Sequence, residues 1–375
     1  MDSALPPEPY WPVEWVEDAG RQSHVPRGQL RLLDQRQLPH RTVYETYTDH
    51  AAVAQAIRDM VVRGAPAIGA AGAYGYVLGV RNGIPREQVY VQLLQSRPTA
   101  VNLEWALRQL HEAGNIAADK LLHKAHALLE RERRHNWAMA EHGAQAILGD
   151  ARLRVADRPL RVLHHCNTGA LATAGWGTAL GVVRRLHQLH PHLLVHVNET
   201  RPRLQGARLT CWELGQWGIP HRLQVDGAVA HLMSTGQVDA VLVGADRVTA
   251  DASVANKIGT LTVAVCAAHY GVPLYVCAPL STVDVQTVRG ADIRIEERDA
   301  AEVVNPHGSA PDSRSSFAPV GTPVYNPAFD VTPAALITGG IVTECGVARH
   351  LERLHQNAEH SGMAEQLARW KVPGA

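Results

Sequence analysis

The sequence predicts an α/β protein: a parallel sheet wound with helices, preceded by a mainly helical region that carries a small antiparallel sheet. Three observations lead there. After Asp150, short β-branched runs alternate with helical segments, which is the pattern of a wound parallel sheet. Between Asp49 and about residue 148, apolar residues recur at spacings of three and four, as amphipathic helices require. Before Asp49, short apolar stretches are interrupted by Gly and Pro. At 375 residues the chain exceeds one typical domain, so two are expected, over residues 1–150 and 151–375.

Taken in order, residues 13–16, 30–33 and 42–47 read as antiparallel strands. Helices are expected over residues 51–60, 66–79, 103–112 and 117–148. In the second half, strands are expected at 160–164, 193–197, 222–225, 240–243, 273–277 and 293–295, with one helix over 171–183. Residues 305–322, rich in Pro, Ser and Gly, read as a long surface loop before a closing piece with Ile337 and Ile341. No internal repeat is found.

Composition excludes several classes of function. Thirty-six basic and 36 acidic side chains cancel, so no basic field points to nucleic acid or a membrane surface. A small neutral ligand, or a locally captured anion, fits better. The five cysteines are odd in number and widely spaced, which argues against a disulfide framework and for a reducing cytoplasm. Residues 1–16 carry acidic and proline residues with no basic stretch followed by an apolar run, unlike a signal peptide. No window holds 18 uninterrupted apolar residues. The 21 histidines show no His-Glu-x-x-His spacing, and no metal is predicted.

The chemistry is expected where strands end. Cys166 follows the first strand of the second half, Asn198-Glu199-Thr200-Arg201 the second, and Gly244-Ala245-Asp246-Arg247 the fourth. In a wound sheet these ends share one rim, and ligands bind in the crevice outside it. A free cysteine is most often a small buried hydrophobe. At a strand end before a helix N-terminus, however, its thiolate would be favoured. The bland roles for Asp246 are a helix N-cap or an ion pair with Arg247. In a dry crevice its carboxyl would instead be raised and able to donate a proton. Asn256 and Lys257, read as the start of an apolar helical run, offer an anion site, although a lone lysine is ordinarily solvated. Arg63-Gly64-Ala65-Pro66 and Arg97 each put an arginine before a helix, and Gln205-Gly206 and Arg201 add donors after the second strand. Each arginine alone would read as a surface ion pair. Together they suit a phosphorylated polyol. Gly-x-x-x-x-Gly-Lys-Ser/Thr, a strand-placed Gly-x-Gly-x-x-Gly and Gly-x-Ser-x-Gly are all missing.

These strings carry a resemblance. VVRGAPAIGAAGAYG at 61–75, RPTAVNLEWAL at 97–107, HCNTGALATAGWGTALGVV at 165–183, ETRPRLQGARLTCWEL at 199–214, VGADRV at 243–248, VANKIGT at 254–260 and VYNPAFDVTP at 324–333 occur in order along most of the chain. In them the chain resembles the 5-methylthioribose-1-phosphate isomerases of methionine salvage. The resemblance implies a helical N-terminal domain, a Rossmann-like C-terminal catalytic domain, a cytoplasmic homodimer, and no organic cofactor or metal. It implies Cys166 and Asp246 as the catalytic pair, with Asp246 the proton donor. It implies substrate contacts from Arg63, Gly64, Ala65, Arg97, Gln205, Asn256 and Lys257. The chain departs from the family pattern in Asn198, where Asp is usual, in Asp251-Ala252-Ser253, where Asn-Gly-Asp is usual, and in the proline-serine loop. The departures bear on substrate preference, so isomerases of 5-deoxyribose 1-phosphate or ribose 1,5-bisphosphate are the nearer alternatives. A non-catalytic subunit resembling those of initiation factor 2B is the more distant one, and retention of both Cys166 and Asp246 argues against it.

Overall fold

The computed structural model describes residues 8–17, 28–98, 100–153, 158–305 and 316–349. Two compact units part after Trp137, Asn167 and Gly177, so that Thr168–Gly177 groups with the residues before Trp137. The expected boundary at residue 150 differs from this division for two reasons. One helix runs unbroken through residue 137, where periodicity leaves no mark. The return of Thr168–Gly177 to the first unit is a tertiary event with no local signature.

In the first unit, β1 (Val13–Glu17), β2 (Gly28–Leu33) and β3 (Tyr44–Tyr47) form an antiparallel meander in that order. The helices α1 (His50–Arg58), α2 (Ala65–Arg81), α3 (Arg86–Leu94), α4 (Val101–His111) and α5 (Ala118–Leu148) follow, and α5 continues past the boundary. The short α6 (Ala170–Thr173) completes the unit. Buried apolar side chains from the sheet (Leu30, Leu32) and from α2 (Tyr74, Tyr76, Val77, Leu78) share one core. Because α2 is buried nearly all round, its neighbours must come close. A Cβ at Gly72 would lie 2.3 Å from Leu103 Cδ1 of α4, and one at Gly79 would lie 2.6 Å from Val89 Cγ2 of α3. Small residues thus set the spacing. Helix α3 escapes the sequence reading because only Val89 and Leu93 of it are buried, too few for a periodic signal.

The second unit is built on a seven-stranded sheet. Its strands are β4 (Leu160–His164), β5 (Leu193–Asn198), β6 (His221–Gln224), β7 (Ala240–Val243), β10 (Leu274–Cys277), β13 (Gly340–Thr343) and β14 (Gly346–Ala348), in the order β14-β13-β10-β7-β4-β5-β6. All neighbours are parallel except β13 and β14. The helices α7 (Ala179–Leu189), α8 (Cys211–Gln216), α9 (Val229–Ser234), α10 (Thr260–His269) and α11 (Ala301–Val304) lie along the same stretch of chain. The chain runs from β4 outward through β5 to β6, then returns to place β7 on the other flank of β4. Strand order therefore reverses between β4 and β7, and such switch points are where ligand crevices form in wound sheets.

A second, four-stranded sheet was not expected. It comprises β8 (Arg247–Thr249), β9 (Val254–Lys257), β11 (Val283–Asp284) and β12 (Phe329–Thr332), in the order β11-β8-β9-β12. Strands of two to four residues are too short to show an alternation in sequence. The strand expected at residues 293–295 is not formed. Its alternating Ile293 and Ile295 pack half-buried as extended loop, and the only pairing nearby among the described residues is an isolated bridge from Glu297 to Pro327. The single helix expected over 171–183 is two helices, α6 and α7, separated by Ala174–Gly177, all four with positive φ. Of the expected surface loop, residues 306–315 lie outside the described residues. Among the described residues no helix is long and apolar enough to cross a membrane.

Just past the end of α5, Asp150 ties that helix to the sheet. Its carboxylate accepts from the Tyr275 hydroxyl of β10 at 2.5 Å and from the Arg152 guanidinium and amide. The Arg152 side chain leads in holding this carboxyl well below the usual carboxylate range. Asp150→Asn should cost about 1–3 kcal/mol by urea unfolding at neutral pH. Because the folded-state pKa is lowered, that stability is present above about pH 4 and is lost as pH falls below it, so the gap between the two proteins should close in acid.

Candidate active site

At the switch point β4 ends between β5 and β7, with His164 paired to Val197 on one side and Leu242 on the other. Cys166 follows in left-handed backbone, φ 72°. Its amide donates to Thr200 Oγ1 at 2.9 Å, and its carbonyl accepts from Thr210 Oγ1 at 2.7 Å. Thr200, also left-handed at φ 63°, is fixed in turn by Asp226, which accepts the amides of Thr200 and Arg201 at 2.8 and 2.7 Å. The next residue, Asn167, donates from Nδ2 to the buried Glu213 carboxylate at 2.5 Å. The thiol residue is thereby held on both sides and is 8% exposed. A long helix does not begin behind it, contrary to expectation, because α6 has only four residues before the left-handed break.

On the neighbouring strand, Asp246 sits in the turn between β7 and β8, its amide donating to Ala255 O at 2.9 Å. It is no helix cap, since β8 follows at once, and Arg247 pairs with Asp284 at 3.2 Å. Asp246 is exposed, so the protein alone does not supply the dry surroundings expected for it.

After β5, Gln205 leads into a π-helical turn, Gly206–Thr210, that brings Thr210 to the Cys166 carbonyl. This turn requires glycine at its start: a Cβ on Gly206 would lie 1.7 Å from Asn198 O. Gln205 is buried, and among the described residues its Oε1 has no hydrogen-bond partner.

Asn256 and Lys257 lie in β9 rather than at the start of the following helix, and both are buried. The Lys257 ammonium donates to Ala328 O at 2.8 Å and stands 4.5 Å from the centre of the Phe329 ring. Asn256 Nδ2 donates to Thr260 Oγ1 at 3.1 Å. The N-terminus of α10, expected as an open anion site, holds a carboxylate from the protein itself. Asp330 of β12 accepts the amides of Gly259 and Leu261 at 2.7 and 3.1 Å. Burial nevertheless outweighs these donors and the nearby Lys257 and pushes the Asp330 carboxyl up to about 6. Thus Cys166, Gln205, Asp246, Asn256 and Lys257 belong to the second unit.

Arg63, Gly64, Ala65 and Arg97 belong to the first. Ala65 begins α2, with Pro66 in its first turn, and Arg97 precedes α4. Gly64 has φ 92°, and a Cβ there would lie 2.4 Å from Ala172 O. Only glycine meets both demands. Sequence reasoning missed the supporting residues, namely Thr200, Thr210, Asp226, Asp330 and His165. Thr200 stands in a string already noted, but Asp330 lies far along the chain from the amides it caps.

A model of the Initiation factor 2 subunit family matches residues 61–350. The methylthioribose-1-phosphate isomerase of Desulforamulus reducens is 47% identical over 336 residues, covering 85% of this chain and 92% of that one. The protein of the same name from Pseudomonas paraeruginosa is 48% identical over 334 residues, covering 85% and 90%. Among solved structures, the 5-methylthioribose 1-phosphate isomerase of Pyrococcus horikoshii matches with a TM-score of 0.77 at 37% identity, over 92% of this chain and 96% of that one. The delta subunit of translation initiation factor eIF-2B from A. fulgidus matches with 0.73, also at 37%, over 90% and 95%.

The Asp330 carboxyl makes a pH test available. Its raised folded-state pKa means that its contribution is fully present below the unfolded value near 4 and is lost as pH rises through about 6. Between pH 4 and pH 7 the wild-type protein should therefore lose about 2 kcal/mol relative to Asp330→Asn, measured as paired urea unfolding curves.

Proposed function

The chain belongs to the Initiation factor 2 subunit family, and within it we propose a methylthioribose-1-phosphate isomerase with Cys166 and Asp246 as its acid–base pair. The reaction is an aldose-to-ketose conversion, 5-methylthioribose 1-phosphate to 5-methylthioribulose 1-phosphate, in methionine salvage. The observation that supports the roles of the pair is the strand-order reversal, with a cysteine of restrained backbone after β4 and a carboxyl after β7 on either side of it.

The chemistry needs such a pair because phosphate on the anomeric oxygen prevents the sugar from opening to a free aldehyde. Asp246, protonated, donates to the ring oxygen as the C1–O bond breaks, leaving an oxocarbenium ion at C1. Cys166, as thiolate, takes the proton from C2, and the electrons of that C–H bond form a C1–C2 double bond. The Asp246 carboxylate then takes the proton of the 2-hydroxyl while the Cys166 thiol returns its proton to C1. The ketose phosphate leaves and both groups are restored. Bound substrate supplies the dryness that Asp246 lacks alone, and so favours its protonated form. Arg63, Gly64, Ala65, Arg97, Gln205, Asn256 and Lys257 hold the sugar phosphate through cations, amides and side-chain donors. A cytoplasmic homodimer accompanies this reading.

Cys166→Ser and Asp246→Asn should each lower kcat by about a hundredfold or more, with unchanged circular dichroism. Near-wild-type turnover by either variant would remove that residue from its role. In D2O, NMR of the product should find deuterium at C1 to the extent that the Cys166 thiol exchanges with solvent before it returns its proton.

A further inference from the structure

The first unit holds a cavity whose lining residues have no role in the chemistry above. Residues of α2, α4 and α5 line it, and all of them belong to that unit. It leaves about 30 Å³ of room for water-sized groups, and one such group takes roughly 10–15 Å³. Two groups therefore fit. Its walls are mostly small and apolar: Gly69, Ala70 and Ala73 share one face of α2, and Ala106 of α4 and Leu128 of α5 join them. Gly69 lets α4 come close, since a Cβ on it would lie 2.9 Å from Asn102 O. The alanines leave the room beside that contact.

Two polar side chains in the lining narrow the choice of ligand. Asn102 is 5% exposed, and among the described residues its Oδ1 has no hydrogen-bond partner. A buried acceptor left unpaired is costly, so a ligand that carries a donor beside its apolar end suits the cavity. Glu132 also lines it, and no Lys or Arg does. A phosphate would meet a charge of its own sign there with no counter-charge in the wall. Position adds a further constraint. The α2 wall starts at Pro66, directly after Arg63-Gly64-Ala65, and the α4 wall starts at Asn102, five residues after Arg97. Those are the residues read above as holding the sugar phosphate. At about 1.5 Å per residue, Ala70 lies about 7.5 Å along α2 from Ala65, comparable with the reach of a ribose from its C1 oxygen to its C5 substituent.

We propose that this cavity selects the C5 substituent: the sulfur and methyl group of the substrate fill it against Ala70, Ala73, Ala106 and Leu128, and Asn102 Oδ1 accepts from a hydroxyl of the sugar. The proposal rests on the isomerase reading and adds to it the residues that choose among sugar phosphates. 5-Deoxyribose 1-phosphate ends at C5 and leaves the cavity empty. Ribose 1,5-bisphosphate brings its second phosphate towards Glu132.

The test compares kcat/KM for methylthioribose 1-phosphate, 5-deoxyribose 1-phosphate and ribose 1,5-bisphosphate, with turnover followed by NMR. The wild-type protein should favour the first over the second by about tenfold or more, and over the third by about a hundredfold or more. Ala70→Leu, which fills the cavity, should lower kcat/KM for the methylthio substrate about thirtyfold and leave 5-deoxyribose 1-phosphate within about threefold. Leu128→Ala, which enlarges it, should raise a 5-ethylthio analogue about tenfold relative to the methylthio substrate, and it decides the matter where Ala70→Leu does not fold. Each readout is a ratio of two substrates on one preparation, so partial unfolding cancels. An unmoved ratio in either folded variant, or a wild-type protein indifferent to the thioether, overturns the proposal and leaves the isomerase reading standing. A wild-type protein that isomerises none of the three, or that prefers the bisphosphate, overturns that reading and the proposal with it.

Discussion

The second unit is organised around one residue whose backbone is bent the wrong way for its type. At φ 72°, Cys166 lies in the left-handed region, which costs a residue with a Cβ about 1 kcal/mol or more. Two threonine hydroxyls hold it there, one on its amide and one on its carbonyl. Each hydroxyl depends on a further constraint. Thr200 is itself left-handed and pinned by the Asp226 carboxylate, and Thr210 arrives by a π-helical turn that passes the Asn198 carbonyl only because residue 206 is glycine. Without the bend β4 would continue as strand and Cys166 would take its place in the alternation of the sheet. The bend is what separates this cysteine from Cys277, which ends β10 wholly buried, its thiol pushed far up by burial.

Other non-glycine residues of this unit also have positive φ. Thr200 and Leu204 follow β5, and Ala252 lies between β8 and β9. Such conformations persist only where the surroundings over-determine them, and the hydrogen bonds from Asp226, Thr200 and Thr210 do so at Thr200 and Cys166. The strand-order reversal contributes the other half of the geometry. Because β4 has parallel neighbours on both flanks, loops from β4, β5 and β7 leave one rim, and the turn that carries Asp246 needs only to follow its own strand.

How far this was legible in the sequence follows from the range of the interactions. Strands β4 and β7 appear with their observed bounds because runs such as Leu160–His164 and Ala240–Val243 are apolar, β-branched and bounded by breaks. The strand ends that carry Cys166 and Asp246 were therefore visible. Lys257 was misread because four residues of strand leave no alternation, and the apolar run after it does form a helix. The carboxylate that caps that helix comes from Asp330, seventy-one residues beyond Gly259, and no local pattern announces it. The broken helix behind Cys166 had a signal in Gly175-Trp176-Gly177, but apolar periodicity on either side masked it. The departure at Asn198 was visible as a lost carboxylate, but that its amide faces the ring of His165 follows only from the alignment of the strand ends.

Fold alone does not decide between an isomerase and a translation-factor subunit, since solved structures of both kinds match this chain at the same 37% identity. On a shared fold, function lives in the site. A structural subunit has no use for a cysteine held in left-handed backbone after β4 and an exposed carboxyl after the adjacent β7. An acid–base reaction does, because its two groups need opposite environments before substrate arrives. Cys166 is buried, and its backbone is held by the Thr200 and Thr210 hydroxyls. Asp246 stands exposed. On the proposed roles, a substrate that covers Asp246 and excludes water would favour its protonated form only in the complex.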